Sequence, residues 1–350
     1  MRPRRISAAL WPLATVAGWT WRCRVVLVLG VAVGAALAQQ GTPGRATSIG
    51  NSELRQARLY GVASSRTFSN VNRDDARAAL KVWFNVVARQ RGFVLDSKMD
   101  IVDNVAEIRE RLLSHTADLV MLSVPDYLEL ESSRLSVPVL THARNAQGGG
   151  LYSYVLVVKG SSAVTSLAGL RGKNILAFSR NGVNTGIAWI DVLLGQEKLG
   201  RAASFFAAVK VPAKAQACVL PVFFGTVDAC VVDEANLNLA KEMNPQLGQL
   251  KVLARSRPMI ESVIATPADE GPFQKDLIDS ILSLHEDSRG RQLLMVFKTE
   301  RIVRLQPGDI DSARELWRDY YRLPGASPNR LPGPTVAAES SAADRGKARD

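Results

Sequence analysis

Along residues 59–322 the apolar positions change period repeatedly, from short unbroken runs to spacings of three and four. Residues 74–90 place Ala76, Ala79, Leu80, Trp83, Val86 and Val87 on one face of a helix, and residues 103–115 do the same with Val105, Ile108, Leu112 and Leu113. Asp103 reads as the cap of the second helix. The run 118–122 (DLVML) suits a strand buried on both faces. Residues 59–63, 93–99 and 137–140 read as further strands, and a Pro-started helix covers 125–131. From residue 152 the alternation resumes, with strands over 155–159, 174–178, 207–211, 228–232, 251–254 and 263–266 and a short helical turn over 166–170. Helices fall near 187–194, 215–224, 272–285, 289–297 and 309–321. Strands alternating with helices in this way predict an α/β architecture with largely parallel sheets.

The two ends differ. Arg22 and Arg24 precede VVLVLGVAVGAAL (25–37), which closes on Ala36-Leu37-Ala38, the pattern of a secretory signal peptide cleaved after Ala38. The apolar run, about 13 residues, falls short of the roughly 20 that span a bilayer. The semi-apolar lead over 8–21 keeps an N-terminal membrane anchor as the alternative, and no cysteine follows the cleavage site to take a lipid. Residues 39–55 read as a linker. Residues 323–350, rich in Pro, Ala, Ser and charge, read as a disordered tail.

Charge and cysteines narrow the chemistry. The formal net charge is +11, but residues 1–38 hold five arginines and no acid. What remains is spread out, with no basic run interleaved with aromatics, so nucleic acid is not an expected partner. Export would leave Cys218 and Cys230, which either pair or stay as buried thiols. Their spacing fits no zinc motif and His115, His142 and His285 are scattered, so neither a metal nor a cofactor is expected. His115 and His142 stand near no discernible nucleophile, which argues against an enzyme.

One segment carries candidate chemistry. In AFSRNGVNTGIAWIDVLL (177–194) a strand ends in a Gly/Asn/Thr turn that opens directly into a helix. Free N–H groups and the helix dipole there suit an anion. Asn184 or Thr185 would cap the helix, and Gly182 and Gly186 would let a ligand approach the backbone. Neither GK[ST] nor GxGxxG follows, so a nucleotide is not indicated.

VTSLAGLRGKNILAF (164–178), leading into SRNGVNTG, resembles the phosphate/phosphite/phosphonate-binding proteins of ABC importers. RERLLSHTADLVMLSVPDYLEL (109–130), YSYVLVVKGSSAVTSL (152–167), PVFFGTVDACVVDEANL (221–237) and LKVLARSRPMIESVIATP (250–267) are similar to that family in the same order. The resemblance implies a two-lobed type II periplasmic-binding fold. Its lobes would be 56–155 with 252–322 and 156–251, with crossover strands near 154–159 and 251–254 and the ligand in the cleft. It places Val183, Asn184 and Thr185 where the family has consecutive hydroxyls, and Lys214 where it has a histidine. Asn104 or Val105 stands for the family's aromatic, and Leu122 and Ser123 for its turn after the third strand. No acid near Ser262 matches clearly, leaving Asp233 or Glu234 as substitutes. The expected ligand-binding set is Ser65, Ser123, Ser179, Asn181, Asn184, Thr185, Gly186, Lys214 and Asp233. The implied function is capture of a small anionic ligand for the permease of an ABC importer; a module reporting to a membrane sensor, or an enzyme on the same fold, is the alternative.

Overall fold

The computed structural model describes residues 55–68, 72–90, 93–133, 140–143, 150–179, 182–268, 274–297, 299–306, 308–328 and 331–336. The segment read as a signal peptide, the expected linker up to residue 54, Asn181 and residues 337–350 of the expected tail lie outside these.

The first body is built from β1 (Arg55–Ser64), α1 (Arg73–Gln90), β2 (Phe93–Val102), α2 (Val105–Leu113), β3 (Leu119–Ser123), α3 (Val124–Leu130) and β4 (Leu140–Ala143). The chain then forms β5 (Tyr154–Val158), β6 (Asn174–Ala177), α4 (Thr185–Gln196), α5 (Ala202–Phe205), β7 (Ala208–Lys210), α6 (Gln216–Phe224), β8 (Ala229–Asp233), α7 (Glu234–Met243) and β9 (Lys251–Arg255). It returns through β10 (Ser262–Ala265), α8 (Gln274–Leu282), α9 (Ser288–Val296), β11 (Arg301–Arg304) and α10 (Asp311–Tyr321), and a last short strand is β12 (Thr335–Val336).

Two six-stranded sheets result, ordered β11-β4-β10-β3-β1-β2 and β12-β7-β6-β8-β5-β9. In the first, β2 and β3 flank β1 in parallel, whereas the β3–β10, β10–β4 and β4–β11 pairs are each antiparallel. In the second, β6 lies parallel between β7 and β8, and β5, β9 and β12 are antiparallel additions. The helical crossovers that parallel strands require put the C-terminal ends of β1, β3, β6 and β8 beside the starts of helices.

The passage between sheets differs from expectation. β5 and β9 pair along their length inside the second sheet, so neither crosses. The crossing segments are 150–153 and 256–261, joined by an antiparallel bridge between Tyr152 and Met259. Tyr154 N–H also donates to Ser256 Oγ at 2.8 Å.

A third connection was not legible beforehand. α10 packs on α3 of the first body and on α4 of the second, burying Trp317 and Tyr320. Arg314 bonds Glu131 at the end of α3, with 2.5 and 2.8 Å contacts. One hydrophobic cluster consequently runs from Val62 and Leu122 through Met259 and Ile260 to Tyr154, Ile187 and Trp317.

The tail expected to be disordered is ordered where it is described. Leu323 lies over Gly195, where a methyl group would meet its Cδ2. β12 pairs antiparallel with β7. The physical reason is that β7 would otherwise be a bare sheet edge with unpaired N–H and C=O groups. Cys218 and Cys230, both fully buried, form a disulfide. Among the described residues no helix is long and apolar enough to cross a membrane.

Candidate functional site

α4 begins where β6 ends, at the C-terminal edge of the second sheet. Its N-cap residue, Asn184, adopts the left-handed conformation (φ 51°, ψ 47°) and makes no side-chain cap. Its amide instead donates to Pro332 C=O at 2.7 Å. Asparagine tolerates that backbone region better than most residues. The opening N–H groups of α4 are therefore left without a capping side chain from Asn184, the condition under which a helix start holds an anion.

Thr185, 1% exposed, encloses a hydroxyl that has no partner among the described residues. Gly186 serves packing: a Cβ there would come within 3.0 Å of the Tyr154 ring and 3.1 Å of Val231. This seats α4 directly on β5 and β8. Just before the helix, Gly182 N–H donates to Arg66 C=O at 2.9 Å, joining the turn to the short 3-10 segment Ser65–Phe68 that follows β1. The segments that follow β1 and β6 thus meet just ahead of α4.

On the first-body side the centre is Asp126, fully buried in the first turn of α3. It accepts from Ser64 Oγ at 2.6 Å and Ser123 Oγ at 2.7 Å. Arg66 Nη1 reaches its other oxygen at 2.6 Å. Ser123 is the N-cap of α3, and the S-x-x-D spacing is close to a capping box. The Asp103 carboxyl is held below its usual range by Arg73 first and by the nearby Ser65 hydroxyl, the other one expected here, second. Asp103 is not the cap of α2; Asn104 is, accepting from Ala106 N–H. Burial, followed by the Asp126 charge, pushes the Tyr321 hydroxyl well above the usual tyrosine range, with Arg66 opposing. The end of α10 therefore lies within the field of the same pair.

The remaining expected residues are dispersed. Ser179, buried, follows β6. Lys214 is exposed ahead of α6, where its C=O accepts from Ala217 N–H. Asp233 caps α7, accepting from Asn236 N–H at 3.0 Å. It stands opposite Tyr154 in the β5–β8 register.

Sequence reasoning passed over Arg66, Thr67, Asp126 and Glu261. Glu261 is 5% exposed and takes the Tyr154 hydroxyl in a short hydrogen bond. Its C=O accepts from Val124 N–H at 3.0 Å, which ties the return crossing to α3. Its signal was its place in RPMIESV, directly before Ser262.

Two α/β bodies joined by paired crossing segments, with a helix start facing the junction, define a periplasmic-binding fold of type II. The family model described as "ABC transporter, phosphonate, periplasmic substrate-binding protein" matches residues 67–310. The chain belongs to that family of periplasmic substrate-binding proteins. Among solved structures it is similar to XAC2383 from Xanthomonas citri, bound to chloride, at 16% identity and a TM-score of 0.53 over 76% of this chain and 98% of that one. The same protein bound to ATP matches at 16% identity and 0.52, over 76% and 97%. PhnD1 from Prochlorococcus marinus in complex with methylphosphonate matches at 16% identity and 0.49, over 76% and 99%. No curated protein matches the chain significantly.

Proposed function

We propose that the protein captures a small oxyanion of the phosphate–phosphonate class between its two bodies and hands it to the membrane permease of an ABC importer. The observation that carries this is the start of α4. In a chain of the phosphonate-binding family, it combines a helix N-terminus without a side-chain cap and an enclosed Thr185 hydroxyl without a partner among the described residues. Ligand oxygens would accept from those groups, with Lys214 supplying charge from the loop ahead of α6.

In this reading Ser179 belongs to the same turn, and Asn181, outside the described residues, is assigned to the ligand on sequence alone. Ser65, Ser123, Asn184, Gly186 and Asp233 shape the walls through their contacts with Asp103, Asp126, Pro332, Tyr154 and Asn236. The lobes in this reading divide at the crossing segments 150–153 and 256–261, and the protein binds without catalysing a reaction. The export segment is cleaved after Ala38, which leaves the binding body in the periplasm.

A thermal-shift series on the purified protein with phosphate, phosphite, methylphosphonate and sulfate tests the proposal. A ligand that binds only the folded state raises its apparent stability by mass action. A concentration-dependent rise with at least one of the four supports the reading; a flat response to all four at millimolar concentration refutes it.

A further inference from the structure

We propose that Arg66 and Thr67 form the first-body half of the ligand site, and that the Arg66 guanidinium, aimed by Asp126, meets the charge of the oxyanion. This rests on the function proposed above and extends it to two residues at the end of β1. Four observations converge on them.

The first is position. The Arg66 C=O accepts from Gly182 N–H, so the backbone of the 3-10 segment touches the turn that opens α4.

The second is exclusion. The Ser64 and Ser123 hydroxyls beside this junction are occupied by the chain's own Asp126 carboxylate. A ligand held from the first body needs other donors.

The third is asymmetry within the ion pair. The Asp126 side chain is 0% exposed and that of Arg66 is 23% exposed, so the carboxylate is enclosed while the guanidinium reaches accessible space. A guanidinium carries five N–H donors. Among the described residues Asp126 is met by Nη1 alone. Two serine hydroxyls already satisfy the other Asp126 oxygen. The carboxylate therefore holds Arg66 in place, and an edge of the planar fork is left to pair with two oxygens of a phosphonate or phosphate.

The fourth is a matched pair of orphans. Thr67 Oγ1 and Thr185 Oγ1 are both buried without a partner among the described residues. Thr67 follows Arg66 in the first body and Thr185 stands three residues after Gly182 in the second, so each lies within three residues of the Arg66–Gly182 contact. A hydroxyl enclosed without a partner costs free energy, and ligand oxygens placed between the two would recover it.

The guanidinium fork also predicts a preference. An oxyanion offering two oxygens in one plane gains from Arg66, whereas a lysine, a point charge on a flexible stem, does not reproduce that geometry.

The test is calorimetric titration of methylphosphonate and inorganic phosphate into the wild type and three variants: Arg66→Gln, Arg66→Gln with Asp126→Asn, and Thr67→Val. The double variant covers the case in which Arg66→Gln alone leaves Asp126 unpaired and fails to fold. Affinity at least tenfold weaker in the folded Arg66 variants, with a shallower dependence on salt than the wild type, and at least threefold weaker in Thr67→Val, is the expected result. Wild-type affinity and salt dependence in a folded Arg66 variant would overturn the inference and leave the proposed function standing. A wild type that binds neither probe, nor any other oxyanion tried, would overturn both.

Discussion

Asn184 and Pro332, 148 residues apart, are joined by a 2.7 Å hydrogen bond from the asparagine amide to the proline carbonyl. The segment beyond α10 therefore reaches back to the turn at which the ligand is proposed to bind. Its other anchors are Arg201, which donates to Pro324 C=O at 3.1 Å, and the β12–β7 pairing. The family model matches residues 67–310, so α10 and this strap lie beyond the matched stretch. Ending the chain after Arg322 is expected to cost at least about 1–2 kcal/mol, since several hydrogen bonds worth roughly 0.5–1.5 kcal/mol each are lost with the Leu323 contact. Amide exchange over 182–188 should accelerate in the truncated protein; unchanged exchange there would mean that the strap does not brace the turn.

Gly186 has no room for a side chain. A methyl group would stand 3.0 Å from Tyr154 Cε1 and 3.1 Å from Val231 Cγ1, both in a packed sheet. Gly186→Ala should destabilise by about 1–3 kcal/mol, the usual cost of overpacking a core. Chemical denaturation measures it, and an unchanged midpoint would show that α4 shifts freely on β5 and β8.

The disulfide between Cys218 and Cys230 spans 12 residues of sequence and pins α6 to β8. Replacing both cysteines with alanine should cost about 2–4 kcal/mol, the typical contribution of such a cross-link. Because both side chains are fully buried, a reductant should release no thiol from the native protein. Quantitative labelling with and without denaturant checks this directly.

The Glu131–Arg314 pair ties α3 to α10. Its hydrogen bond with Arg314 holds the Glu131 carboxyl below the usual glutamate range, against opposition from burial. A depressed folded-state value means that this contribution is present above the unfolded pKa and is lost as pH falls through the folded one. Both side chains are 39% exposed, so the pair is worth only about 0.2–1 kcal/mol. Glu131→Gln should lower the melting temperature slightly at pH 7, with the difference from wild type vanishing in acid. A difference that grew as pH fell would contradict the pairing.

Much of the fold was legible because period and burial agree. The DLVML run supplies four of the five residues of β3 (Leu119–Ser123), which is buried at every position, and the 74–90 face lines the first-body core through Ala76, Leu80 and Trp83. What escaped was set by tertiary contact. β12 consists of two residues and exists because β7 offers an edge. α7, with Asp233 as its cap, is not among the helices that the sequence predicts. At the site, the turn ahead of α4 announced itself through its glycines and asparagine. Asp126 and Arg66 did not, since an acid and a base 60 residues apart show no sign in sequence that they will share a buried hydrogen bond.

Isothermal titration of methylphosphonate and phosphate into the wild type and Thr185→Ala puts the greatest weight on a single hydroxyl. One site per chain, with affinity at least tenfold weaker in the alanine variant at unchanged melting temperature, is the outcome expected of an oxyanion held at the start of α4. Equal affinity in the two proteins, or no heat from any oxyanion with the wild type, would contradict it.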